Sequence, residues 1–417
     1  MSRQRVVVTG MGIISPVGND VTNFWTAITT GISGAGPITH FDPADFVTKF
    51  ACEVKAFTIG DLIDPKEARR FQRFTQFGIA AAHQALIDAG LAGDNPPVDK
   101  DRTGVIIGSG IGGIELFEEQ AKVFFERGPK RISPFFVPMM ISDIVSGQVS
   151  ITFGLGGPNF AVVSACSTAG HSIHMATRLI QAGEADAILA GGSEAAITHL
   201  AVGGFNAMKA LSTRNDAPEK ASRPYDKDRD GFVIGEGAGV LVLESYESAK
   251  RRGATIHAEV LGAGASGDAY HITAPHVDGD GARRAMEAAL KDAGIAKDSV
   301  AYINAHGTST DVGDPTEIKA IRSVFAQHAE KLAVSSTKSM TGHTLGAAGA
   351  VEAIATILAT KYDLIPPTIN IDNQDPECDL FVTPNVAVKR EVNVAMSNAF
   401  GFGGHNSSLI VSKPEFQ

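Results

Sequence analysis

The chain has 417 residues, more than one hydrophobic core usually serves, so two domains or two fused half-domains are expected. Hydrophobic residues at 44% and charged residues at 20% are typical of a folded globular protein and exclude a disordered one. A formal net charge of -10 argues against a nucleic-acid binder, because such a protein needs a basic face to replace phosphate counterions.

The cysteines and the apolar segments indicate where the protein works. Cys52, Cys166 and Cys378 are too few and too scattered for a disulfide framework or a four-ligand zinc site, which favours a reducing compartment. The first residues lack an apolar core followed by a cleavage site, and no stretch reaches about 18 uninterrupted apolar residues. We therefore predict a cytoplasmic protein that does not associate with a membrane.

Alternating strand and helix patterns predict an α/β fold with sheets covered on both faces. In the first half, the pattern predicts strands at 6–8, 104–108, 160–164, 187–190 and 240–244, and helices at 74–89, 171–182 and 245–252. In the second half, it predicts strands at 256–262, 300–304 and 332–335, and helices at 281–293 and 346–359. Because the pattern begins again near Ala258, we predict two related halves, residues 1–257 and 258–417.

Cys166 is the strongest candidate nucleophile. It follows the apolar run 160–163 and precedes small residues that allow a helix to begin directly behind it. Unpaired backbone N–H groups and the positive end of a helix dipole at such a place favour a thiolate. A buried structural cysteine is the more common case for a lone residue, and we predict that role for Cys52 and Cys378.

Two histidines strengthen the case for Cys166. His306 lies in a Gly-rich turn at the end of a predicted strand, and His343 lies between a predicted strand and a Gly-rich helix start. The carboxyl ends of strands are where α/β sheets place their functional sites, so residues far apart in sequence can meet there. We predict that the two imidazoles and the thiol of Cys166 share one site.

Other motif-like patterns carry less weight. The glycines of 108–113 follow a strand, but their spacing does not fit the G-x-G-x-x-G template of dinucleotide sites. His171 and His174 lie three apart on a predicted helix with no third metal ligand in view, so packing is the better interpretation. The alternating acids of 226–230 lack the bidentate glutamate of a calcium loop.

Four segments in this order resemble the β-ketoacyl-[acyl-carrier-protein] synthases: 164–168 (SACST), 304–310 (NAHGTST), 337–349 (TKSMTGHTLGAAG) and 398–406 (NAFGFGGHN). The resemblance covers nearly the whole chain and is closest to the type II enzymes of bacterial fatty acid synthesis. It implies a thiolase fold, with two pseudo-symmetric, five-stranded α/β/α/β/α halves in a five-layered arrangement. It also implies a homodimer.

The reaction that the resemblance implies is a decarboxylative Claisen condensation. Cys166 would carry a fatty acyl group and pass it to malonyl-[acyl-carrier-protein], giving 3-oxoacyl-[acyl-carrier-protein] and carbon dioxide. His306 and His343 would donate hydrogen bonds to the malonyl thioester carbonyl, because a developing oxyanion is stabilised by fixed donors. Lys338 and Glu352 would order the site.

The resemblance also assigns an oxyanion hole, a gate and an ion site. The backbone N–H groups of Cys166 and Phe402 would form the oxyanion hole, with Phe400 and Phe402 in a glycine-rich gate. No cofactor is required, since the substrates carry phosphopantetheine on acyl carrier protein. A monovalent cation is implied at four residues, Asn304, Glu352, Ser397 and Asn398.

Further implied roles concern the substrate. Thr308 and Thr310 would hydrogen-bond the pantetheine arm. Ile111 would line the acyl pocket and limit chain length there, and Phe136 would reach the pocket from the partner subunit. Acyl carrier protein is acidic, so an acidic enzyme needs a local basic surface to bind it. The candidates are Lys66, Arg69 and Arg70, together with Lys130 and Arg131, although most such clusters are only solvated charges.

Enzymes and subunits with related activities differ from this chain in their sequence features. Thiolases need a second catalytic cysteine near the C-terminus, whereas no cysteine follows Cys378. Synthases that start chains from coenzyme A hold Asn in the place of His343. A chain-length factor, which is a non-catalytic partner subunit, lacks the nucleophile that Cys166 supplies. A polyketide ketosynthase uses the same residues and stays open, as does the preferred acyl length.

Overall fold

The computed structural model describes residues 3–93, 95–414 and 416. Its strands are β1 (Val6–Ile14), β2 (Gly36–Pro37), β3 (Phe50–Ala51), β4 (Thr103–Gly108), β5 (Ala187–Glu194), β6 (Gly237–Ser245), β7 (Ala258–Gly267), β8 (Tyr302–Asn304), β9 (Ala333–Ser335), β10 (Leu364–Ile365), β11 (Val388–Lys389), β12 (Val394–Gly401) and β13 (His405–Ser412).

The α-helices are α1 (Val21–Thr30), α2 (Pro65–Ala68), α3 (Arg73–Asp88), α4 (Ile114–Arg127), α5 (Phe136–Met140), α6 (Ile144–Phe153), α7 (Thr168–Gln181), α8 (His199–Ala207), α9 (Tyr246–Arg251), α10 (Asp280–Ala293), α11 (Gly313–Phe325), α12 (Lys338–Thr341) and α13 (Ala348–Tyr362). Short 3₁₀ turns that matter below are Pro129–Arg131, Ala165–Ser167 and Leu345–Ala347.

One large mixed sheet joins the two halves of the chain. Its strand order is β4-β5-β6-β1-β7-β13-β12-β8-β9, so the first half supplies four strands and the second half five. The halves meet where β1 and β7 pair antiparallel, with Val6 opposite Val260 and Val8 opposite Ala258. Strands β4–β5, β12–β8 and β8–β9 pair in parallel, and the other neighbours in this sheet pair antiparallel.

The helices form layers on both sides of this sheet. Helices α7 and α13 pack against each other and against strands of both halves, while α3 covers the first half and α10 the second. Every residue of α13 from Ala348 to Thr360 is buried, because this helix packs between strands of both halves. The α/β class, with helices on both faces of a large central sheet, is therefore confirmed.

The predicted strand at 160–164 is wrong. This segment has no strand assignment. In the described residues one isolated bridge, between Val105 and Asn159 just before the segment, joins this part of the chain to β4. The Ser146 hydroxyl binds the Phe160 carbonyl, so helix α6 takes up part of the segment's hydrogen-bonding capacity. Phe160 and Val163 are exposed despite the apolar pattern, and the first half contributes four strands to the sheet where five were expected.

In the described residues, no helix combines the length and the apolarity that crossing a membrane would require. The division of the chain at residues 257 and 258 stays a prediction. The break between β6 and β7, which α9 spans, lies close to that division. The site described next is formed by residues from both sides of it.

Candidate active site

Cys166 lies in a sharp turn at the start of a buried helix. The 3₁₀ turn Ala165–Ser167 leads directly into α7, and Ala165 has a φ of 50°, a left-handed conformation uncommon for a residue with a side chain. The Ser167 hydroxyl lies 2.7 Å from the carbonyl oxygens of both Ala399 and His405. The turn is thereby fastened to strands β12 and β13 of the other half.

The two predicted histidines lie beside this thiol. His343 Nε2 is 3.0 Å from Cys166 Sγ, and the rings of His306 and His343 meet edge to face with centroids 5.3 Å apart. All three residues line one cavity of about 490 Å³. The structure thus brings together three residues that are separated by up to 177 positions in the chain.

A buried ion pair sets the orientation of His306. Lys338 Nζ lies 3.4 Å from His306 Nδ1 and forms an ion pair with Glu352. An ammonium group can only donate, so Nδ1 accepts and the ring proton is left on Nε2. Lys338 and Glu352, both buried, therefore hold His306 in the tautomer that can donate a hydrogen bond through Nε2.

Burial decides the charge of all three groups. It lowers the pKa of His306, with Lys338 and His343 adding to the effect, and it lowers the pKa of His343, with Lys338 adding. Both shifts are large, so both imidazoles are neutral at pH 7. Burial also raises the pKa of the Cys166 thiol to about 11, although Lys338 and the backbone N–H of Phe402 act in the opposite direction.

The expectation that the helix start makes Cys166 a thiolate is therefore wrong for the resting site. The cost of burying a charge exceeds the help from Lys338 and the N–H donors. What the site offers instead is a neutral thiol at hydrogen-bond distance from His343, a neutral base. Such a pair can lose its proton in step with bond formation.

The predicted oxyanion hole involves two backbone N–H groups, those of Cys166 and Phe402. Both act to lower the pKa of the Cys166 thiol, against the larger effect of burial. Gly401 lets the two backbone segments approach each other, because a Cβ there would lie 2.9 Å from the Ser164 carbonyl oxygen and 3.0 Å from the Cys166 nitrogen. Phe400 and Phe402 line the cavity, and the Phe400 ring lies 5.8 Å from that of His306.

Three of the four predicted substrate residues also line the cavity. Thr308, Thr310 and Ile111 are part of its wall, and the two threonine hydroxyls are 3.1 Å apart. Phe136 is not among the described lining residues of its own chain; its ring lies in α5, 6.4 Å from that of Phe117. Its predicted contact with a partner's pocket stays a prediction.

The four residues of the implied cation site are buried close to the ion pair. Asn304 Oδ1 and Glu352 Oε2 have no hydrogen-bond partner in the described part of the chain, so both could serve as ligands. The Asn398 amide is engaged by Glu317 and Ser408, which leaves fewer of its atoms for an ion. The donor set is oxygen-rich and fits a hard cation.

The predicted carrier-binding residues are all exposed. Lys66, Arg69 and Arg70 lie in and just after α2, and Lys130 and Arg131 lie in the turn Pro129–Arg131. The Arg70 guanidinium carbon is 5.4 Å from the centre of the Phe135 ring, so the two clusters border one surface. These five residues are called the basic surface below.

The residues considered above as possible metal ligands have other contacts in the structure. Within the described chain, no cluster of three or more His, Cys, Asp or Glu residues is arranged to hold a metal ion. His171 instead bridges Ser164 Oγ, at 2.7 Å, and the carbonyl of Asn406, at 3.2 Å. Asp226 pairs with Arg223 at 3.0 Å, and both side chains are buried.

Comparison with known proteins decides the family. Models of the beta-ketoacyl synthase N-terminal and C-terminal domains match residues 3–249 and 257–372. The chain belongs to the β-ketoacyl synthase family. The sequence-based assignment to this family and to its thiolase fold is thereby confirmed.

Relatives and solved structures agree with this assignment. The synthase is 54% identical over 412 residues to 3-oxoacyl-[acyl-carrier-protein] synthase 2 of Staphylococcus aureus (strain COL), covering 99% of both chains. It is 53% identical to the protein of that name from Vibrio cholerae, covering 99% of this chain and 100% of the relative. A beta-ketoacyl synthase from Burkholderia phymatum has a TM-score of 0.92 at 37% identity, over 98% of this chain and 99% of that one.

A second solved structure bears on the open alternative. It is a type II PKS acyl-carrier protein in complex with its ketosynthase, with a TM-score of 0.91 and 34% identity over 99% of this chain and 100% of that one. The fold of the synthase is therefore shared with a polyketide ketosynthase. The 54% relatives are closer in sequence.

One supporting residue was missed by sequence reasoning. Glu317 in α11 accepts hydrogen bonds from the backbone N–H groups of His306, at 2.9 Å, and Gly307, at 2.8 Å. Asn398 donates to the same carboxylate at 3.2 Å. Glu317 thus holds the turn that carries His306. An acid on a helix is usually solvated, so only its burial in the fold distinguishes it.

We expect Lys338→Met to destabilise the synthase by about 3–5 kcal/mol, because it leaves Glu352 buried without its counter-ion. Burial already raises the pKa of Glu352 from 4.5 to about 7 despite Lys338. The pKa of Glu352 is therefore higher in the folded state than in the unfolded state. Between pH 4.5 and about 7 the folded state binds more protons, so the contribution of Glu352 to stability falls as the pH rises through this range.

The loss should therefore be larger at pH 8 than at pH 5.5, as measured by urea unfolding. Lys361→Met, an exposed lysine near the end of α13, is the matched control. The double variant Lys338→Met/Glu352→Gln should recover most of the stability. An equal loss at both pH values would show that the ion pair does not couple to the charge of Glu352.

Proposed function

We propose that the protein is a 3-oxoacyl-[acyl-carrier-protein] synthase that elongates fatty acyl chains by two carbons through decarboxylative Claisen condensation. The observation that carries the proposal is the contact of 3.0 Å between Cys166 Sγ and His343 Nε2, with neutral His306 beside them in one cavity. A nucleophile next to a base, with backbone donors behind it, is the arrangement that acyl transfer needs.

In the first half-reaction, Cys166 takes the acyl group from the carrier thioester. The thiol proton moves toward His343 Nε2 as the new carbon–sulfur bond forms. The backbone N–H groups of Cys166 and Phe402 receive the oxyanion of the tetrahedral intermediate. The carbon–sulfur bond to the carrier then breaks, and the departing thiolate takes the proton.

In the second half-reaction, a malonyl thioester enters the same cavity. Its carbon–carbon bond to the carboxylate breaks, carbon dioxide leaves, and the electron pair passes into a thioester enolate. His306 Nε2–H donates to the enolate oxygen. His343 is the second donor in its other neutral tautomer, with the ring proton on Nε2 instead of Nδ1. The carbanion attacks the acyl carbonyl, and cleavage of the bond to Cys166 Sγ releases the 3-oxoacyl product. The departing Cys166 thiolate takes one proton from solvent, which restores the neutral thiol.

The substrate contacts follow from the cavity wall. The Thr308 and Thr310 hydroxyls would bind the phosphopantetheine arm, and Ile111 would contact the acyl chain. No further cofactor is required, because loss of carbon dioxide itself supplies the carbanion. We also propose a cytoplasmic location, supported by three cysteines that are all free thiols.

A bound monovalent cation is a second proposal. Asn304 Oδ1 and Glu352 Oε2 are buried acceptors with no hydrogen-bond partner in the described residues. A cation bound by both atoms would offset the free-energy cost of burying them without a partner. Ser397 and Asn398 would complete the shell. Thermal unfolding in sodium, potassium and tetramethylammonium salts at equal ionic strength tests this: equal melting temperatures in all three would contradict it.

A homodimer is a third proposal, supported by an apolar surface. Helices α4, α5 and α6 are in contact with one another and expose large apolar side chains, as does the segment 160–163 beside β4. The exposed residues are Phe117, Phe124, Phe125, Phe135, Val137, Ile151, Phe160 and Val163. Exposed apolar side chains grouped on one surface are typical of interaction sites. Sedimentation of the purified synthase should give twice the chain mass of 43.6 kDa.

Reversing the first cluster of the basic surface should weaken the interaction with the carrier. We expect the variant with Lys66, Arg69 and Arg70 all changed to Glu to raise KM for acyl-carrier-protein roughly tenfold at low salt, because exposed charge pairs contribute about 0.2–1 kcal/mol each. The effect should shrink as salt is raised. KM for a short acyl-pantetheine thioester should not change, since that substrate has no carrier.

The matched control reverses two other exposed bases, Lys250 and Arg251 in α9, which lie outside the cavity wall and the basic surface. This control should leave both KM values unchanged. If KM for acyl-carrier-protein is equal in the triple variant and the wild type at low salt, the carrier binds elsewhere.

The proposed function is tested by reconstitution with acyl- and malonyl-carrier protein and no reductase. A fatty acid synthase of this class should give one condensation per acyl chain and one carbon dioxide per product. Repeated extension of the unreduced product would instead indicate the polyketide alternative, which is supported by the ketosynthase structure at 34% identity. No 3-oxo product with any acyl donor would refute the condensing reaction.

A further inference from the structure

Glu194 is a buried carboxylate in the cavity wall that the mechanism above does not use. It ends strand β5, its side chain is completely buried, and it lines the cavity with Cys166 and Ile111. The contacts that stabilise its charge in the described residues are hydrogen bonds from one hydroxyl and three backbone N–H groups. A buried carboxylate without a cation is costly, so its position calls for a reason.

The carboxylate connects two segments of the active site. Glu194 Oε1 accepts from Ser109 Oγ at 2.5 Å and from the Ile111 N–H at 3.2 Å. Glu194 Oε2 accepts from the Gly110 N–H at 2.8 Å and from the Gly346 N–H at 2.9 Å. One side chain therefore holds the segment 109–111, which carries Ile111, against the start of α13.

Two glycines make room for this carboxylate. A Cβ at Gly110 would lie 2.9 Å from Glu194 Oε2, and a Cβ at Gly346 would lie 2.6 Å from the same atom. Gly346 follows His343 by three residues, so the bond to Glu194 fixes the backbone next to a catalytic histidine. Burial raises the pKa of Glu194, while the four donors act in the opposite direction.

The far end of the Ile111 segment is fastened separately. The Gly113 N–H donates to the Met140 carbonyl at 2.8 Å, and the Gly112 N–H donates to Ser109 Oγ at the same distance. Loss of the Glu194 contacts would therefore free a short stretch around Ile111 without releasing α4. That stretch is the part of the cavity wall expected to contact the acyl chain.

We propose that Glu194 is a positioning residue that holds Ile111 against the His343 segment and thereby sets the acyl chain length the cavity accepts. This proposal rests on the proposed function, because chain length has meaning only for an enzyme that binds acyl groups. Glu194 acts through the backbone of Ile111 and takes no part in bond making.

The test is Glu194→Gln. Glutamine has nearly the same side-chain shape as glutamate, but it replaces one acceptor oxygen by an N–H₂ group, which would face the backbone N–H donors and could not accept from them. The readout is kcat/KM for acylation of Cys166 by a series of saturated acyl-carrier-protein substrates from short to long. We expect the ratio of kcat/KM for long-chain substrates to kcat/KM for short-chain substrates to shift roughly tenfold. This is the effect that one added or missing methylene group typically has on binding in an apolar pocket.

A matched control distinguishes an effect on chain-length preference from a general loss of stability. Glu244→Gln removes another fully buried carboxylate, which pairs with Arg252 at 2.7 Å and does not line the cavity in the described residues. It should lower the melting temperature and leave the chain-length ratio unchanged. Ser109→Ala removes one donor to Glu194 and should shift the ratio in the same direction by less, even if Glu194→Gln folds poorly.

The double variant Ser109→Ala/Glu194→Gln should shift the ratio by less than the sum of the two single shifts, because the two side chains share one contact. Equal losses of kcat/KM at every chain length in both Ser109→Ala and Glu194→Gln would overturn the proposal, as would the same shift in Glu244→Gln. A wild-type enzyme that no acyl donor acylates refutes the proposed function itself. That result is distinct, because it needs no variant.

Discussion

Cys166→Ala abolishes the acyl-enzyme and lowers the rate of condensation by roughly 10⁴-fold or more. The expected size follows from losing the nucleophile of a site whose parts act together. The melting temperature should stay close to that of the wild type, because the side chain only loses its sulfur. Condensation is measured as 3-oxoacyl product from acyl- and malonyl-carrier protein.

The other two cysteines provide the control for this loss. Cys52 and Cys378 are buried outside the cavity wall, and burial raises the pKa of the Cys52 thiol to about 12 and that of the Cys378 thiol further. Cys378→Ala should therefore keep wild-type acylation. Retention of condensation in Cys166→Ala would contradict the assignment of the nucleophile.

His306→Ala lowers the rate of condensation by about 10²–10³-fold while leaving acylation of Cys166 largely intact. The reason is that His306 Nε2–H is assigned to the enolate oxygen, which forms only in the second half-reaction, and one missing oxyanion donor typically costs about this much. His343, which contacts the sulfur at 3.0 Å, should slow both half-reactions when changed to Ala.

The two half-reactions are separated by measuring acyl-enzyme formation by mass and carbon dioxide release from labelled malonyl-carrier protein. His83→Ala is the matched control, because His83 stacks on Phe153 and is not among the described lining residues. If His306→Ala slowed acylation as much as carbon dioxide release, the division of roles between the two histidines would be wrong.

The regular elements of the fold were predictable because their patterns are local. Helix α3 was expected at 74–89 and spans Arg73–Asp88, and strand β4 was expected at 104–108 and spans Thr103–Gly108. The segment 160–164 shows the limit of such patterns. Its apolar residues are typical of a buried strand, yet whether a strand forms depends on the neighbours that the fold supplies.

The grouping of Cys166, His306 and His343 in one site could also be anticipated, since a thiol and two histidines in Gly-rich segments after strands are distinctive. Their charge states could not, because the pKa of Cys166 depends on how deeply the folded chain buries it. Glu194 and Glu317 were missed for the same reason. In sequence they are ordinary acids, and only the closed fold turns them toward backbone N–H groups around Ile111 and His306.

The most direct test is a single-turnover experiment followed by intact mass and peptide mapping. Wild-type synthase is mixed with acyl-carrier protein, freed of excess substrate, and then given malonyl-carrier protein. The account predicts one acyl group on the peptide that contains Cys166, followed by its loss as a 3-oxoacyl chain two carbons longer appears on the carrier. An acyl group on any other residue, or one that malonyl-carrier protein does not remove, would contradict it.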